Sequence, residues 1–490
     1  MSPLAAATLA PTTADPDAKL YHAVADRITA MIDAGTLGQG KRVPSVRKLS
    51  RQMGIAAGTV LRAYRLLEDR GRIVARPQSG FYVCANRQPL PEPRVSVPSR
   101  RPERPTIGDF VARMTEMINV PDIMPLGQAL PSPGCLPTKQ LNRISAAIAR
   151  TSSRGFNSYD VPPGCRELRV QVAKRYMDAG CALSPDDLVT TSGCQEALGL
   201  CLRATVRPGG VVAVESPTYY GILQAIQMLG MRALELPTDP RDGVDLEALD
   251  RAARTQGLAA CLFVTNCHNP LGFTMPDAKK RQLVELLARH DIPLIEDDTY
   301  GDLSFNEPRP AVCKAFDYHG RVLLCSSVSK TLAPGARVGW CAPGRYLDRV
   351  KHLKFCNTLA TATLPQLTVA EYLANGGYAH QLRRMRRLYA EQIQLIAASV
   401  QRNFPPGTRA SRPVGGHVLW LELAKGFNSM EMFERAAALK ISIAPGPLFS
   451  TSGGYSNFIR LNCACPCDAK LEQAIRILGR LAEDQLRTVA

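Results

Sequence analysis

Residues 325–340 read "CSSVSKTLAPGARVGW", a stretch that places Lys330 among serines, seven residues before Arg337. A partly desolvated lysine amine forms an imine with an aldehyde, and hydroxyl and guanidinium groups bind phosphate. The apolar run RVLLCSS at 321–327 has the composition of a buried strand and leads directly into the lysine segment. The stretch therefore predicts a strand of an α/β fold that carries a site for a phosphorylated aldehyde.

Strand-like and helical patterns alternate through the C-terminal part of the chain. Further apolar runs occur at 209–216, 260–266 and 292–298, and residues 277–290 have the pattern of an amphipathic helix. Alternation of this kind favours a mostly parallel sheet covered by helices. Because ligands of such sheets bind beyond the carboxyl ends of the strands, we expect residues 122–490 to form one α/β unit with its site among the polar residues that follow each strand.

The composition is that of a globular protein, with 490 residues, 45% of them hydrophobic and 21% charged. No uninterrupted apolar run reaches about 18 residues, and the N-terminus lacks the pattern of a signal peptide. Residues 1–17 are expected to form a disordered tail, and the protein is expected in the cytoplasm. Its 15 cysteines are then expected as reduced thiols. The cluster of Cys463, Cys465 and Cys467 lacks a usual zinc spacing, so buried or incidental thiols are favoured over a metal site.

Residues 18–85 form a small basic module. The net charge of the chain is +17, and ten Lys or Arg residues but only two acids lie between positions 41 and 76. Three helical patterns, at 21–34, from Ser45 to about 54 and at 58–69, are followed by a hairpin pattern at 71–83. This order predicts a winged helix-turn-helix, in which arginines of the recognition helix reach base edges or phosphates. The alternative is a small helical bundle whose basic face is simply solvated.

Side-chain periodicity gives the module its expected core and surface. Ser45 is expected to cap the second helix and Gly54 to end it. The buried side is expected to comprise Val46, Leu49 and Met53 on the second helix and Val60, Tyr64 and Leu67 on the third. Thr59, Arg62 and Arg65 are expected on the exposed surface of the third helix, where they could meet DNA.

A proline-rich segment separates the two parts. Residues 86–105 read "NRQPLPEPRVSVPSRRPERP", with six prolines and no helical or strand period. We expect residues 86–121 to form an extended, semi-rigid linker.

The lysine segment is one of several motifs that together suit pyridoxal phosphate (PLP). Such a cofactor needs a phosphate cup, a partner for its pyridine nitrogen, a donor to its phenolic oxygen and a ring to stack on. The candidates all follow strands or open a helix: Gly193, Cys194 and Gln195 for the phosphate, Tyr219 for stacking, Asn269 and Tyr300 for the phenolic oxygen, Asp297 for the pyridine nitrogen, and Ser327, Lys330 and Arg337 for phosphate and imine. Each motif alone is weak, whereas their order and spacing together are specific.

The basic module resembles the GntR-type winged helix over about 65 residues, from "VPSVRKLSRQMG" to "SGFYV". The resemblance implies that Arg47, Thr59, Arg62 and the wing around Gly80 contact DNA. One departure concerns "AAGTV", where Ala56 and Ala57 replace a common Ser-Arg pair, so the operator sequence is left open.

Residues from about 122 to 485 resemble fold-type I, class I aminotransferases. The resemblance implies that Lys330 holds PLP as an internal aldimine, that Arg460 binds an amino acid α-carboxylate, and that Tyr159 reaches the phosphate of a neighbouring subunit in a homodimer. Cys194 departs from the small hydroxyl residue usual in the phosphate turn. As a whole, the chain resembles the MocR subfamily of GntR-type regulators, many of which have "HQxPxG" where this chain has "CHNPLG".

These observations favour a PLP-dependent transcription regulator that binds operator DNA and senses PLP or an amino acid. The alternative is an active aminotransferase, converting an amino acid to a 2-oxo acid, with a DNA-binding head. A third hypothesis is a dimerisation scaffold without bound PLP. The effector, the target genes and the direction of regulation have no motif in the sequence.

Overall fold

The structure is a computed structural model that describes residues 16–38, 40–69, 72–76, 79–83, 89–117, 120–375 and 377–489. The chain divides into two compact units, residues 1–89 and residues 90–490, which we call the head and the body. Most of the predicted N-terminal tail, residues 1–15, lies outside the described residues.

The head consists of three helices and a hairpin. Its elements are α1 (Pro16–Asp33), α2 (Val46–Met53), α3 (Ala57–Asp69), β1 (Ile73–Arg76) and β2 (Gly80–Val83). The hairpin strands are antiparallel, and the chain before α2 joins them, because Val43 N donates to Phe81 O at 2.9 Å. The winged helix-turn-helix predicted from the sequence is therefore confirmed.

Local sequence explains where the head's helices begin and end. Ser45 caps α2 by accepting a hydrogen bond from Lys48 N at 3.3 Å. Gly54 ends the helix with a left-handed backbone, φ 65°, which glycine adopts without steric cost. As predicted, Val60, Tyr64 and Leu67 of α3 are fully buried. The predicted stripe of α2 packs on the same core but is only half-buried.

The body alternates helices and strands as predicted. Its elements are α4 (Gly108–Glu116), β3 (Met124–Pro125), α5 (Thr138–Thr151), α6 (Arg154–Asn157), α7 (Arg166–Met177), β4 (Val189–Thr191), α8 (Cys194–Thr205), β5 (Val211–Ser216), α9 (Tyr220–Met228), β6 (Arg232–Asp239), β7 (Gly243–Val244), α10 (Leu246–Thr255), β8 (Leu258–Phe263), α11 (Asp277–Arg289), β9 (Leu294–Asp297), β10 (Val322–Ser327), β11 (Gly339–Ala342), α12 (Leu347–Thr358), α13 (Thr363–Ala374), α14 (Gly377–Asn403), β12 (Arg409–Ala410), β13 (Val418–Glu422), α15 (Ser429–Ala438), β14 (Ile441–Ser442), β15 (Ala444–Pro445), β16 (Phe458–Asn462) and α16 (Ala469–Val489).

An eight-stranded sheet forms the centre of the body, in the order β4-β11-β10-β9-β8-β5-β6-β7. The five strands from β10 to β6 are parallel, whereas β4, β11 and β7 join by antiparallel pairing. The central strands are buried along their length, as is usual for parallel strands. The predicted α/β fold with a mostly parallel sheet is confirmed, and the carboxyl ends of β5, β8, β9 and β10 meet at one edge.

A second sheet, β12-β13-β16-β15, belongs to the C-terminal part of the body. Strand β16 lies between β13 and β15 and is buried throughout. A short parallel pair, β14 with β3, attaches the segment after residue 120 to this part. The arrangement places Arg460 of β16 inside the body.

The structure differs from the prediction of an extended linker at residues 86–121. Residues 90–117 belong to the body, and Gly108–Glu116 forms helix α4. Backbone bonds hold the proline-rich part, since Ala410 N donates to Pro91 O, and Glu103 and Ala233 exchange N–H···O bonds of 2.9 and 2.8 Å. The proline-rich composition concealed these contacts because the partner groups lie more than a hundred residues away.

Among the described helices, none is both long and apolar enough to cross a bilayer.

Candidate PLP site and nucleic-acid interface

A cavity of about 190 Å³ lies at the edge of the sheet where the parallel strands end. Most of the residues predicted to bind the cofactor line it: Cys194, Gln195, Tyr219, Asn269, Asp297, Tyr300, Ser327, Lys330 and Arg337. The alternating topology explains this convergence, because each residue follows a strand of the sheet or opens α8.

Lys330 supplies the amine of the cavity. Its Nζ donates a hydrogen bond to Ala129 O at 2.8 Å. The pKa of Lys330 is lowered from 10.5 to about 8, chiefly because the amine is buried; the positive charge of Arg460 contributes to the decrease, and the carboxylate of Asp297 opposes it. An amine whose pKa is near 8 is partly neutral at physiological pH. The neutral amine is the form that attacks an aldehyde.

Asp297 ends β9 as a buried carboxylate. Its Oδ1 accepts hydrogen bonds from Thr299 N at 2.9 Å and Thr299 Oγ1 at 2.5 Å, and the Cys194 thiol lies 3.7 Å away. Burial raises the pKa of Asp297, and the bonds from Thr299 only partly offset that effect. A cationic N–H group placed against Asp297 would stabilise the carboxylate, so the site suits a protonated pyridine nitrogen.

A turn before α8 and Arg337 form an anion-binding corner. Gly193 caps α8 with φ 85°, and a Cβ there would collide with the Arg337 guanidinium. Arg337 Nη2 donates to Ser192 O at 3.1 Å. The N-terminus of α8 carries positive partial charge, and Arg337 adds a full one.

Hydroxyl groups and a buried ion pair complete this corner. Ser327 Oγ donates to Ser329 Oγ at 3.1 Å, and Ser329 also lines the cavity. Beneath the turn, Ser192 N donates to Glu196 at 2.6 Å, and Lys354 pairs with the same carboxylate at 2.7 Å. Burial alone would raise the pKa of Glu196, but Lys354 and Ser192 N outweigh it and hold the pKa below its usual value.

Arg460 lies behind the cavity and is fully buried. Its guanidinium donates to Asn269 Oδ1 at 3.0 Å and to Gly127 O, while its Nε has no partner among the described residues. An arginine is usually found at the surface, paired with a carboxylate. In the described part of the chain, no carboxylate pairs with Arg460. A buried guanidinium without a counter-ion is suited to an incoming carboxylate.

Two tyrosines contribute rings and hydroxyls. Burial raises the pKa of both Tyr219 and Tyr300. The Tyr300 hydroxyl is buried without a hydrogen-bond partner among the described residues, and its ring lies 5.8 Å from Lys330 Nζ. A buried hydroxyl left unpaired is costly, so this group fits a ligand that accepts a hydrogen bond. The unpaired atoms of Tyr300 and Arg460, the basic corner and the lysine together fit PLP and an α-carboxylate.

Tyr159 lies outside the cavity. It is 76% exposed, near Phe156, which is 72% exposed, and Val161, which is 47% exposed. Its predicted role needs a second subunit and stays a prediction.

Eight residues that line the cavity were not predicted from the sequence, and Gln128, Thr299 and Ser329 are among the polar ones. Thr299 follows Asp297 by two residues, and that spacing is a usual signal for a side chain that bonds the backbone of a turn. Gln128 has no such signal because the long-range packing of residues 127–129 brings it to the cavity.

The residues predicted to contact DNA lie in the head. Arg47 and Arg62 are exposed, and the Arg62 guanidinium lies over the Tyr21 ring at 4.9 Å. Gly80, with φ 99°, opens β2 beside Arg42, and a side chain there would press on the Arg42 guanidinium. Thr59 was expected on the surface, but that placement is wrong, because it is only 8% exposed.

The cysteines near the C-terminus do not gather into a metal site. Cys463 is buried, Cys465 is half-buried and Cys467 is exposed. Across the described ranges, no three or more His, Cys, Asp or Glu residues are grouped so as to hold a metal ion.

Two protein families match the chain. The model of aminotransferase class I and II covers residues 131–478. The model of the bacterial regulatory proteins of the gntR family covers residues 20–83.

Several full-length relatives share both parts. The HTH-type transcriptional regulator YjiR of Escherichia coli K12 is 38% identical over 94% of this chain and 98% of its own length. YdcR of the same organism is 39% identical over 96% of this chain and all of its own. MocR of Rhizobium meliloti, a probable rhizopine catabolism regulatory protein, is 26% identical over 88% of this chain and 87% of its own.

The body also matches a solved enzyme structure. LysN, the α-aminoadipate aminotransferase of Thermus thermophilus, was solved with N-(5'-phosphopyridoxyl)-L-leucine. It is 28% identical, with a TM-score of 0.70 over 78% of this chain and all of its own.

Proposed function

Because this chain belongs to the aminotransferase class I and II family and, with its GntR-type head, to the MocR subfamily of regulators, we propose that it is a PLP-dependent transcription regulator that binds operator DNA in the cytoplasm. The observation that carries the proposal is Lys330, with its lowered pKa, beside Asp297 and an anion-binding corner. The same chain bears a winged helix with exposed arginines, which suits DNA.

The body's side chains have distinct roles in holding PLP. When bound, PLP supplies an electrophilic aldehyde and an electron-withdrawing ring. Lys330 offers the amine, and Asp297 keeps a proton on the ring nitrogen. The remaining contacts come from Gly193, Cys194, Gln195, Ser327 and Arg337 at the phosphate, Tyr219 against the ring, and Asn269 and Tyr300 at the phenolic oxygen.

An amino acid is the second ligand that the site suits. Arg460 is buried, lacks a carboxylate partner in the described chain and contacts Asn269 of the cavity. An α-carboxylate would provide the missing counter-charge. Such a ligand regulates DNA binding only if it has different affinities for two states of the protein.

A homodimer is part of the proposal. Tyr159 and Phe156 are large side chains that are mostly exposed. A second subunit that covered them would also bring Tyr159 towards a neighbouring phosphate site. Sedimentation analysis of the protein and of Tyr159→Ala tests this point.

The proposal of a PLP site is tested by absorbance. Purified protein is expected to show the band of bound cofactor, and Lys330→Ala is expected to lose it. Lys351→Ala is the matched control, because Lys351 is a partly exposed lysine of α12 that pairs only with Asp348 in the described structure. Protein that stays colourless in excess PLP would contradict the proposal.

An active aminotransferase is the second candidate function. The observation in its favour is that Lys330, Asp297, Asn269 and Tyr300 line one cavity with Arg460 directly behind it. In that reaction, Lys330 would move the α-proton as a general base and acid. Steady turnover of an amino acid with a 2-oxo acid acceptor would favour the enzyme, whereas a single half-reaction without turnover would favour the sensor.

A further inference from the structure

Residues 127–129 connect the ligand cavity with helix α4. All three are buried. Gly127 is closely packed, since a Cβ there would lie 2.8 Å from Ile443 O. Gly127 N donates to Ser442 Oγ at 3.1 Å. The segment therefore has little freedom to move without its neighbours.

Two cations of the site bond to the backbone of this segment. Lys330 Nζ donates to Ala129 O at 2.8 Å, and Arg460 Nη2 donates to Gly127 O. These cations are also the groups proposed to bind PLP and an amino acid carboxylate. A ligand that binds Lys330 and Arg460 competes with the two carbonyls for these donors. Ligand binding therefore affects the backbone on both sides of residue 128.

Gln128 lies between those carbonyls and contacts α4. Its side chain is 4% exposed and lines the cavity. Gln128 Nε2 donates to Met114 O at 2.9 Å, and its Oε1 accepts from Ser442 Oγ at 3.3 Å. Of the two side-chain bonds, the one to Met114 O reaches the main chain of α4.

Helix α4 belongs to the segment that leads from the head into the body. The Phe110 ring packs on Phe433 of α15 at 5.0 Å, and Arg113 pairs with Glu434 of that helix. Gln128 thus holds α4 from the cavity side while α15 holds it by Phe110 and Arg113. A change at residues 127–129 alters one attachment and leaves the other in place.

We propose that residues 127–129 relay ligand binding from the cavity to α4, with Gln128 as the positioning residue. The relay rests on the proposed function. When ligand binds, Lys330 and Arg460 change partners, and the carbonyls of Ala129 and Gly127 lose their donors. Gln128 then transmits the resulting shift to the main chain of α4 at Met114. Coupling between two sites needs such an element that both can bias.

The test compares DNA affinity with and without ligand. The dissociation constant for a fragment upstream of the protein's own gene is measured at fixed salt, alone, with PLP, and with PLP plus each of the twenty amino acids. The condition that changes the wild-type constant most is then used for the variants. A change of about 5-fold or more is expected, the lower end of usual allosteric coupling.

Gln128→Met keeps the length of the side chain and removes the bond to Met114 O. In this variant, ligand is expected to change the dissociation constant for DNA by less than about 2-fold. Allosteric coupling in proteins is usually between about 5-fold and 150-fold. Gln485→Met is the matched control. Gln485 is also buried and donates to a main-chain carbonyl, Asn428 O at 3.2 Å, but on α16 and away from the cavity. That variant is expected to keep the full ligand response.

Hydrogen exchange of residues 108–117 gives a readout that does not depend on DNA. Ligand is expected to change protection there in the wild type and not in Gln128→Met. If Gln128→Met does not fold, Ser442→Ala replaces it, because Ser442 holds both Gln128 Oε1 and Gly127 N; that variant is then expected to weaken the response.

The outcomes separate the relay from the function it rests on. A wild-type protein that binds PLP but shows no ligand-dependent DNA affinity contradicts the proposed sensing. A responsive wild type together with a fully responsive Gln128→Met overturns the relay alone. Loss of PLP binding in Gln128→Met also overturns it, because Gln128 would then act by holding PLP and not by positioning α4.

Discussion

Lys330 is expected to capture PLP in the neutral pH range, with a midpoint near pH 8. The fall of its pKa from 10.5 to about 8 corresponds to a penalty of roughly 3 kcal/mol on the protonated amine. At pH 7.5 about a quarter of the amines are then neutral, against about one in a thousand for an unshifted lysine. The rate of capture by cofactor-free protein is expected to rise through pH 8 and level off above about pH 9.

The charged neighbours of Lys330 that alter its pKa can be removed one at a time. Arg460 lowers the pKa of Lys330 and Asp297 raises it. Arg460→Met is therefore expected to move the midpoint of capture upward, and Asp297→Asn is expected to move it downward. Opposite shifts from two variants at one cavity are difficult to obtain from general damage to the fold.

Stopped-flow absorbance of cofactor-free protein mixed with excess PLP measures this rate between pH 6.5 and 10.5. The reaction of PLP with Nα-acetyllysine, divided by the neutral fraction of that amine at each pH, corrects for the titration of PLP itself. A corrected midpoint near pH 10.5 would refute the reasoning, as would shifts of the same sign in both variants.

Three further predictions concern the cofactor oxygen, the DNA contact and the phosphate turn. Tyr300→Phe removes a buried hydroxyl that lacks a partner in the described chain, and is expected to weaken PLP binding by about 3–10-fold in a fluorescence titration, the effect of one hydrogen bond. Arg62→Ala is expected to weaken DNA binding and to reduce the slope of log K against log salt by about 1 if Arg62 contacts a phosphate; an unchanged slope would remove it from the phosphate contacts. Lys354→Met leaves the half-buried Glu196 carboxylate without its cation, and is expected to destabilise the body by about 3 kcal/mol, measured by urea unfolding.

The positions of the cavity residues could be predicted because they follow from local sequence and a general rule. Asp297, Asn269 and Lys330 each come after an apolar run, and parallel strands bring their carboxyl ends to one edge. The buried side of α3 could be predicted equally well, since Val60, Tyr64 and Leu67 lie at helical spacing. Such features need no knowledge of distant contacts.

Features that depend on distant packing could not be predicted in this way. Helix α4 follows six prolines, and its partners, Gln128 and Phe433, are not neighbours in sequence. The burial of Arg460 depends on β16 lying between β13 and β15. Thr59 was expected to be exposed from helical spacing alone, whereas its side chain lies on the buried side of α3, next to Val60.

The central claim is that the PLP site controls DNA occupancy, and the most direct test is the affinity of the whole protein for its operator with and without ligand. Fluorescence anisotropy at fixed salt is expected to show that PLP, alone or with one amino acid, changes the dissociation constant of the wild type by about 5-fold or more. The same ligands are expected to leave the dissociation constant of Lys330→Ala unchanged. A wild-type protein that carries PLP and binds the operator with one affinity under every ligand condition would contradict the account.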